Sequence, residues 1–336
     1  MKKGSVTLED VARAAGLSRA QVSRALRGDP GVTPATREMA ETAARRLGYR
    51  PNLAARTLAS AQSRSVGIVI GEPLNPFHML LAQALDERLA ANGFDSIVSL
   101  RAINDQAVLR ESDRLLSMRA QGVFLISTPE SDEAIAALAN ALPSVFMGRQ
   151  LQDLNVSSVS ADDEDASARA IEHLIDLGHR RIAHIEGGSK PGAIERKRGY
   201  QRAMAQADLP IIEVSGEHDI DSGRRGVAAL LDNGDLPTAI FADNDLTAIG
   251  AINELRRRGT SVPQDISVIG FDDIPASGTE TISLTTVRQD AGSHAAAAVE
   301  LMDGLLAEPD GAREFRVVES PLIIRRSTAS PASRNR

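Results

Sequence analysis

The sequence predicts two unequal parts: a small all-α head of three helices and, after a short hinge helix, an α/β body of two doubly wound parallel-sheet subdomains. Three observations carry this. Residues 1–60 hold 11 Lys and Arg against 5 Asp and Glu, whereas the rest of the 336-residue chain holds 27 against 40. Apolar residues keep a helical period up to Leu47. From Ser65 onward, short apolar runs alternate with amphipathic stretches, in two successive series.

The length allows two or three domains with full cores, and 42% apolar with 25% charged residues is ordinary for a globular protein. With no cysteine there is neither a disulfide nor a thiolate metal site, which fits a reducing compartment. Met1-Lys2-Lys3 is not followed by an apolar stretch and no run approaches about 18 apolar residues. The expected location is the cytoplasm.

In the head, Thr7 caps a helix whose apolar positions are Leu8, Val11, Ala12 and Ala15, and Gly16 stops it. Ser18 with Gln21 forms a capping-box pair opening a second helix. This helix turns Val22, Ala25 and Leu26 inward and Arg19, Ala20, Ser23, Arg24 and Arg27 outward, and Gly28 ends it. Thr33-Pro34 opens a third helix through Met39, Ala43 and Leu47 to Gly48. Two short helices around a Gly turn, with arginines on the exposed face of the second, suit a helix-turn-helix reader of DNA. A three-helix bundle with a solvated basic face is the alternative.

The stretch Arg50–Ser60 joins the parts. Asn52 is a good N-cap, and Ala54, Ala55, Arg56, Leu58 and Ala59 favour helix, but two turns are too short to hold alone in water. It needs a surface to fold against, or it is a plain linker.

In the body, Val66–Ile70, Phe94–Leu100, Val123–Ile126 and Val145–Met147 read as strands, with helices near Met79–Ala91, Ala107–Met118 and Glu133–Leu142. The second series has strands Ile182–Ile185, Ile211–Val214, Ala239–Ala242 and Val268–Phe271. Its helices lie near Ala166–Leu177, Ile194–Ala207, Gly223–Leu231 and Leu246–Arg258. A helix over Asp290–Leu306 and strands Phe315–Val318 and Leu322–Ile324 complete it. Ligands of such sheets sit beyond the carboxyl ends of strands. There the chain places Glu186–Gly192 followed by Arg196, then Asp243-Asn244-Asp245 and Asp272-Asp273. Carboxylates, an amide and a guanidinium suit the hydroxyls of a sugar, each of which donates and accepts. Equally, Asn244 or Asp245 could simply cap a helix.

The run from Val6 to Gly28, with Val32–Arg37 and Leu47–Asn52, resembles the headpiece of LacI/GalR-family transcriptional regulators without a gap. Leu177–Ile182, Arg196–Tyr200, Asp243–Gly250 and Ile266–Asp273 resemble the periplasmic-binding-protein-like core of the same family, to about residue 325. The resemblance implies a helix-turn-helix headpiece over 1–50 and a hinge helix over 51–60. It implies a core N-subdomain over 61–160 plus 290–318, a C-subdomain over 161–289 plus 319–326, and a flexible tail over 327–336. It further implies a homodimer on a pseudopalindromic double-stranded operator, acting as a repressor whose affinity follows a small effector, a sugar or polyol, bound between the subdomains. The alternatives are a solute-binding protein of sugar transport and a purine- or nucleoside-responsive regulator of the same family.

The implied DNA contacts are Thr7, Ser18, Arg19, Ala20, Gln21, Ser23, Arg24, Arg27, Thr33, Asn52, Ala55, Arg56 and Leu58. Arg19 and Ala20 choose bases, and Leu58 wedges into the minor groove. The implied effector contacts are Asn75, Phe77, His78, Ser127, Arg149, Arg196, His218, Asn244 and Asp272. The sequence departs from the family pattern at Arg27, usually Asn, at His78 and His218, where aromatic rings are common, and at Gly148, often Asp.

Gly187–Gly192 lacks phosphate-loop spacing, and His173, His179 and His184 have no carboxylate at metal-ligand spacing. No nucleophile elbow is present. Neither a cofactor nor a metal nor catalysis is expected.

Overall fold

The computed structural model describes residues 6–49, 64–101, 104–128, 131–149, 151, 154–232 and 237–332. The chain divides into two compact units at residues 63 and 64.

The first unit holds α1 (Leu8–Ala15), α2 (Arg19–Arg27) and α3 (Pro34–Leu47). Both α1 and α2 open on full capping boxes. Asp10 N donates to Thr7 Oγ1 at 3.3 Å while Thr7 N donates to Asp10 Oδ2 at 3.0 Å, and Ser18 and Gln21 repeat this at 3.2 and 2.9 Å. All three helices stop at a glycine in the left-handed region, Gly16, Gly28 and Gly48, with φ of 67°, 75° and 66°. Val11, Val22, Ala25, Ala40, Ala43 and Ala44 close the core. Met39 does not belong to it. At 100° per residue Ala40, Ala43, Ala44 and Leu47 share the inward stripe, which leaves Met39 49% exposed.

The second unit contains two six-stranded sheets. Its elements are β1 (Ser65–Ile70), α4 (Pro76–Ala91), β2 (Asp95–Ser99), α5 (Asp105–Ser117), β3 (Val123–Ile126), α6 (Asp132–Ala141), β4 (Ser144–Met147) and β5 (Ser157–Ala161). There follow α7 (Asp163–Asp176), β6 (Ile182–Ile185), α8 (Ala193–Gln206), β7 (Ile212–Val214), α9 (Ile220–Asp232), β8 (Ala239–Ala242), α10 (Asp245–Arg257) and β9 (Ser267–Asp272). A short 3-10 turn over Pro275–Gly278 leads to β10 (Thr285–Arg288), α11 (Ala291–Ala307), β11 (Phe315–Val318) and β12 (Leu322–Ile323).

The strand orders are β11-β5-β4-β3-β1-β2 and β12-β10-β9-β8-β6-β7, so the chain passes between the sheets three times. All pairs are parallel except β10 with β12. Alternate side chains feed opposite faces of each sheet. In β1, Ile68 and Ile70 meet Leu81 and Leu85 of α4 and Met302 of α11, while Val69 faces the cluster of Leu115 and Ile135. In β8, Phe241 meets Ile171 of α7 and Tyr200 of α8, while Ile240 meets Ile252 and Leu255 of α10.

Two strands carry no apolar run to announce them. Ser157–Ala161 is mostly serine, yet every residue is buried between β4 and β11. Thr285–Arg288 is held between β9 and β12.

The stretch from Ser327 that was expected to fray is docked as far as Ala329. Ser327, 1% exposed, accepts from Thr285 N at 2.7 Å and donates to Val268 O at 2.6 Å; Ala329 O accepts from Ser267 Oγ at 3.1 Å. These bonds satisfy the buried first residues of β9 and β10, an end use that polarity alone conceals. Residues 333–336 lie outside the described ones.

Candidate effector cleft and nucleic-acid interface

In the head, Arg19 and Ala20 occupy the exposed first turn of α2, and Gln21 beside them is tied into the cap of Ser18. The Arg19 side chain makes no hydrogen bond to another described residue, and the Arg24 side chain reaches only Pro30 O among them, at 3.4 Å. Arg27 is committed otherwise. It donates through Nε and Nη2 to Asp29 at 3.2 and 2.7 Å and through Nη1 to Ser23 Oγ at 2.7 Å. The pairing with Asp29 raises the Arg27 pKa and lowers that of Asp29. Thr7, Ser18 and Thr33 are all exposed N-caps. Asn52, Ala55, Arg56 and Leu58 lie outside the described residues.

In the body, the carboxyl ends of the strands converge on Arg196, which α8 presents from its first turn. The guanidinium is buried: Nε donates to Asp163 Oδ1 at 2.8 Å, Nη1 donates to Asp243 O at 2.7 Å, and Nη2 lies 3.9 Å from Asp272 Oδ1. The carbon of the guanidinium sits 3.8 Å from the centroid of the Phe271 ring, a cation–π contact that supports it from below. Burial works against the Arg196 charge, but the ring of carboxylates more than compensates and its pKa rises. Burial pushes Asp163 up to about 6 against the pull of Arg196. Burial also works on Asp243, but hydrogen bonds from His184 and His218 hold it well below the usual carboxylate range.

The cleft is closed by contacts between the two lobes. Asn75 Nδ2, from the start of α4, donates to Asp272 Oδ2 at 3.1 Å, and Lys190 Nζ reaches Glu72 Oε1 at 2.8 Å. Gln289 Nε2 donates to Asp272 Oδ1 at 2.7 Å. Beside these, Thr128, Phe146, Met147, Arg149 and Pro191 line a cavity of about 10 Å³. A cavity of that size holds no sugar-sized ligand, which needs roughly 300 Å³ or more.

Arg196, Asp272, Asn75, His78 and His218 are therefore brought together. Asn75 is also the N-cap of α4, its Oδ1 accepting from Phe77 N at 3.0 Å. Phe77 turns away into the core, edge-on to His294 at 5.9 Å. Arg149 pairs with Asp132 at 3.2 Å. Ser127 lies buried at the end of β3 in the left-handed region, φ 47°.

Asn244 proves to be the cap that its spacing also allowed. Its Oδ1 accepts from Thr247 N at 2.9 Å and its Nδ2 donates to His218 O at 3.2 Å. Asn244→Ala is expected to cost about 1–2 kcal/mol, lowering the urea midpoint, and Asn244→Asp is not expected to rescue it, because a carboxylate cannot donate to the His218 carbonyl. An unshifted midpoint in the Ala variant would remove the capping role.

Two participants were not singled out from sequence: Asp163, which partners Arg196 as Asp243 does, and Glu72, which meets Lys190 between the lobes. A carboxylate two strands away from its arginine leaves no local spacing to read.

Asp245 sits beneath the cleft, accepting from Ile274 N at 2.9 Å, Ser277 Oγ at 2.6 Å and Thr286 Oγ1 at 2.5 Å. Burial, reinforced by Asp272, pushes it up to about 8. The folded form thus binds a proton that the unfolded chain releases near pH 4. That contribution is complete below pH 4 and is lost as pH rises toward 8. Asp245→Asn is expected to flatten this decline and add about 1–3 kcal/mol at pH 8. Parallel wild-type and variant stability profiles from pH 5 to 8.5 would refute it.

Fold and site together define a DNA-binding transcriptional regulator with a two-lobed ligand-binding core. Residues 7–52 match the bacterial regulatory proteins of the lacI family, and residues 171–328 match the periplasmic binding protein-like domain. The chain is 34% identical to catabolite control protein A of Priestia megaterium, over 89% of this chain and 92% of that one. It is similar in structure to the lac repressor dimer bound to operator and the anti-inducer ONPF, with TM-score 0.85 and 29% identity over 97% and 99% of the two chains. It is also similar to a complex of the transcriptional regulator CelR with cellobiose, with TM-score 0.73 and 30% identity over 96% and 99%. The chain belongs to the lacI family of bacterial transcriptional regulators. No helix among the described residues is long and apolar enough to cross a membrane.

Proposed function

We propose that the protein is a homodimeric repressor of a pseudopalindromic operator, controlled by a small polyhydroxyl effector that binds between the lobes of its core. The observation that carries this is the buried Arg196 cluster at the lobe junction, where Asp272 is shared between Arg196 of one lobe and Asn75 of the other. A ligand bonding to these groups binds the two lobe arrangements with unequal affinity, and only such a difference can shift the equilibrium between them. The lobes correspond to residues 61–160 with 290–318, and 161–289 with 319–326.

The head reads the major groove through Arg19, Ala20 and Arg24. Residues 51–60 form the hinge helix on DNA, with Leu58 as the minor-groove wedge. A shift of a few kcal/mol in the hinge equilibrium moves operator occupancy by orders of magnitude. The ligands in those related structures, an anti-inducer of the lac repressor and cellobiose for CelR, favour a sugar over a nucleoside.

The test starts by selecting the operator from random duplexes with the full-length chain. Its binding is then titrated with and without neutral sugars and polyols. A selected palindrome whose affinity one of these compounds changes tenfold or more supports the proposal. Selection of no sequence, or an affinity indifferent to every compound, refutes it.

A further inference from the structure

Resting on the reading of α2 as the DNA-reading helix, we infer that Asp29 is a positioning residue of the DNA-binding face: its carboxylate keeps the Arg27 guanidinium off the phosphates of a duplex and so restrains binding to DNA of any sequence. The three arginines on the exposed side of α2 are not equivalent. Arg19 and Arg24 leave their forks almost free, whereas every guanidinium nitrogen of Arg27 is engaged. Nε lies 3.2 and 3.3 Å from the two Asp29 oxygens, Nη2 donates to Oδ2 at 2.7 Å, and Nη1 donates to Ser23 Oγ at 2.7 Å. Arg19, Ser23 and Arg27 follow at four-residue steps and share one stripe of the helix. Unclamped, Arg27 would extend the stripe that Arg19 opens, and its fork suits phosphate as well as carboxylate.

The local backbone fixes Asp29 in place. Gly28 ends α2 at φ 75°, a left-handed turn that brings the chain back toward the last turn of the helix, and Asp29 N donates to Arg24 O at 3.1 Å. From α3, Arg37 Nη2 reaches Asp29 O at 3.5 Å. The carboxylate therefore meets Arg27 from a backbone that is already ordered, at little further cost in chain freedom. Arg27 first, and Arg24 after it, hold the Asp29 pKa below its ordinary value, so the clamp is charged at any pH near neutral.

A single exposed ion pair is weak, and the Arg27 side chain is 49% exposed. Geometry is what strengthens this one: the fork onto one carboxylate and the bond to Ser23 must all be given up before the guanidinium can turn to DNA. The consequence is electrostatic. Residues 1–60 hold 11 Lys and Arg against 5 Asp and Glu, a surplus that draws the head to any polyanion. Each arginine laid on a phosphate releases a further counterion and tightens that binding. Asp29 withdraws one of them.

The test is binding of the full-length chain to a random-sequence duplex from about 50 to 200 mM salt, for wild type, Asp29→Asn, Arg27→Ala and the double variant. Asp29→Asn frees the fork. For each head on the duplex, the slope of log affinity against log salt is expected to steepen by about 0.9, and affinity near 100 mM to rise on the order of fivefold. Arg27→Ala, an exposed change outside the head's core, is expected to keep the wild-type slope, as is the double variant. The operator selected as above should gain from Asp29→Asn by the same factor as random DNA, since phosphates carry no sequence. A slope flatter by about 0.9 in Arg27→Ala would put Arg27 on phosphate already and overturns the inference. So does an unchanged slope in Asp29→Asn, or a steepening that survives in the double variant, which would be the carboxylate's own charge. A gain confined to the operator overturns it too, by making Arg27 a base reader. The random-duplex measurements need no operator, so failure to select one counts against the repressor reading alone, and the clamp is decided by the slopes.

Discussion

Arg196→Ala is expected to lower the melting temperature of the full-length chain by roughly 10 °C. The side chain is buried and its guanidinium is the counter-charge for Asp163, Asp243 and Asp272 at once. Removing one partner of a buried ion pair costs about 3–5 kcal/mol because the charges left behind cannot regain water. For a body of this size each kcal/mol moves the midpoint by about 2–4 °C. The loss also empties the space over the Phe271 ring. Arg196→Lys should recover only part of the stability, since an ammonium on a flexible stem cannot reach Asp163 and the Asp243 carbonyl in one rigid fork. Calorimetry decides between outcomes: a shift under about 3 °C for the Ala variant would mean that the carboxylates take up protons and relax, and that Arg196 does not organise the cleft.

Arg19→Ala should reduce the preference for operator over random duplex by about 1–3 kcal/mol, roughly 5- to 150-fold, with the melting temperature unchanged. Its exposed position and the absence of a hydrogen-bond partner among the described residues leave its fork available for the O6/N7 edge of a guanine. Arg27→Ala should cost less specificity, because Asp29 and Ser23 already occupy its donors. Competition binding at fixed salt separates the two. An Arg19 variant that weakens operator and random DNA equally would make Arg19 a phosphate contact instead.

The legible parts of this protein are those whose cause is local. Thr7, Ser18 and Thr33 cap their helices through atoms three residues ahead, and the glycines that end those helices take a backbone conformation other residues avoid, so the head can be read from short words. Strands such as Ile182–Ile185 and Ala239–Ala242 appear where they were expected because a strand buried on both faces is a continuous apolar run. Ser157–Ala161 escaped for the converse reason: its burial comes from neighbours on either side, not from its own composition. Asn75 was read as part of a ligand loop, and the structure makes it a helix cap that also bonds Asp272; the one amide uses its oxygen locally and its nitrogen across the cleft.

Charge asymmetry, helical and strand periods, and capping words are properties of neighbouring residues, and with them the sequence by itself determined a basic three-helix head and a body of two parallel sheets. Only the tertiary structure decided which carboxylates surround Arg196, that the Asn75 amide reaches Asp272, and that Ser327 and Ala329 bond the first residues of β9 and β10. These depend on groups tens of residues or more apart in the chain, whose meeting is set by strand order and by the packing of two lobes, and no pattern within a single segment encodes such a distance.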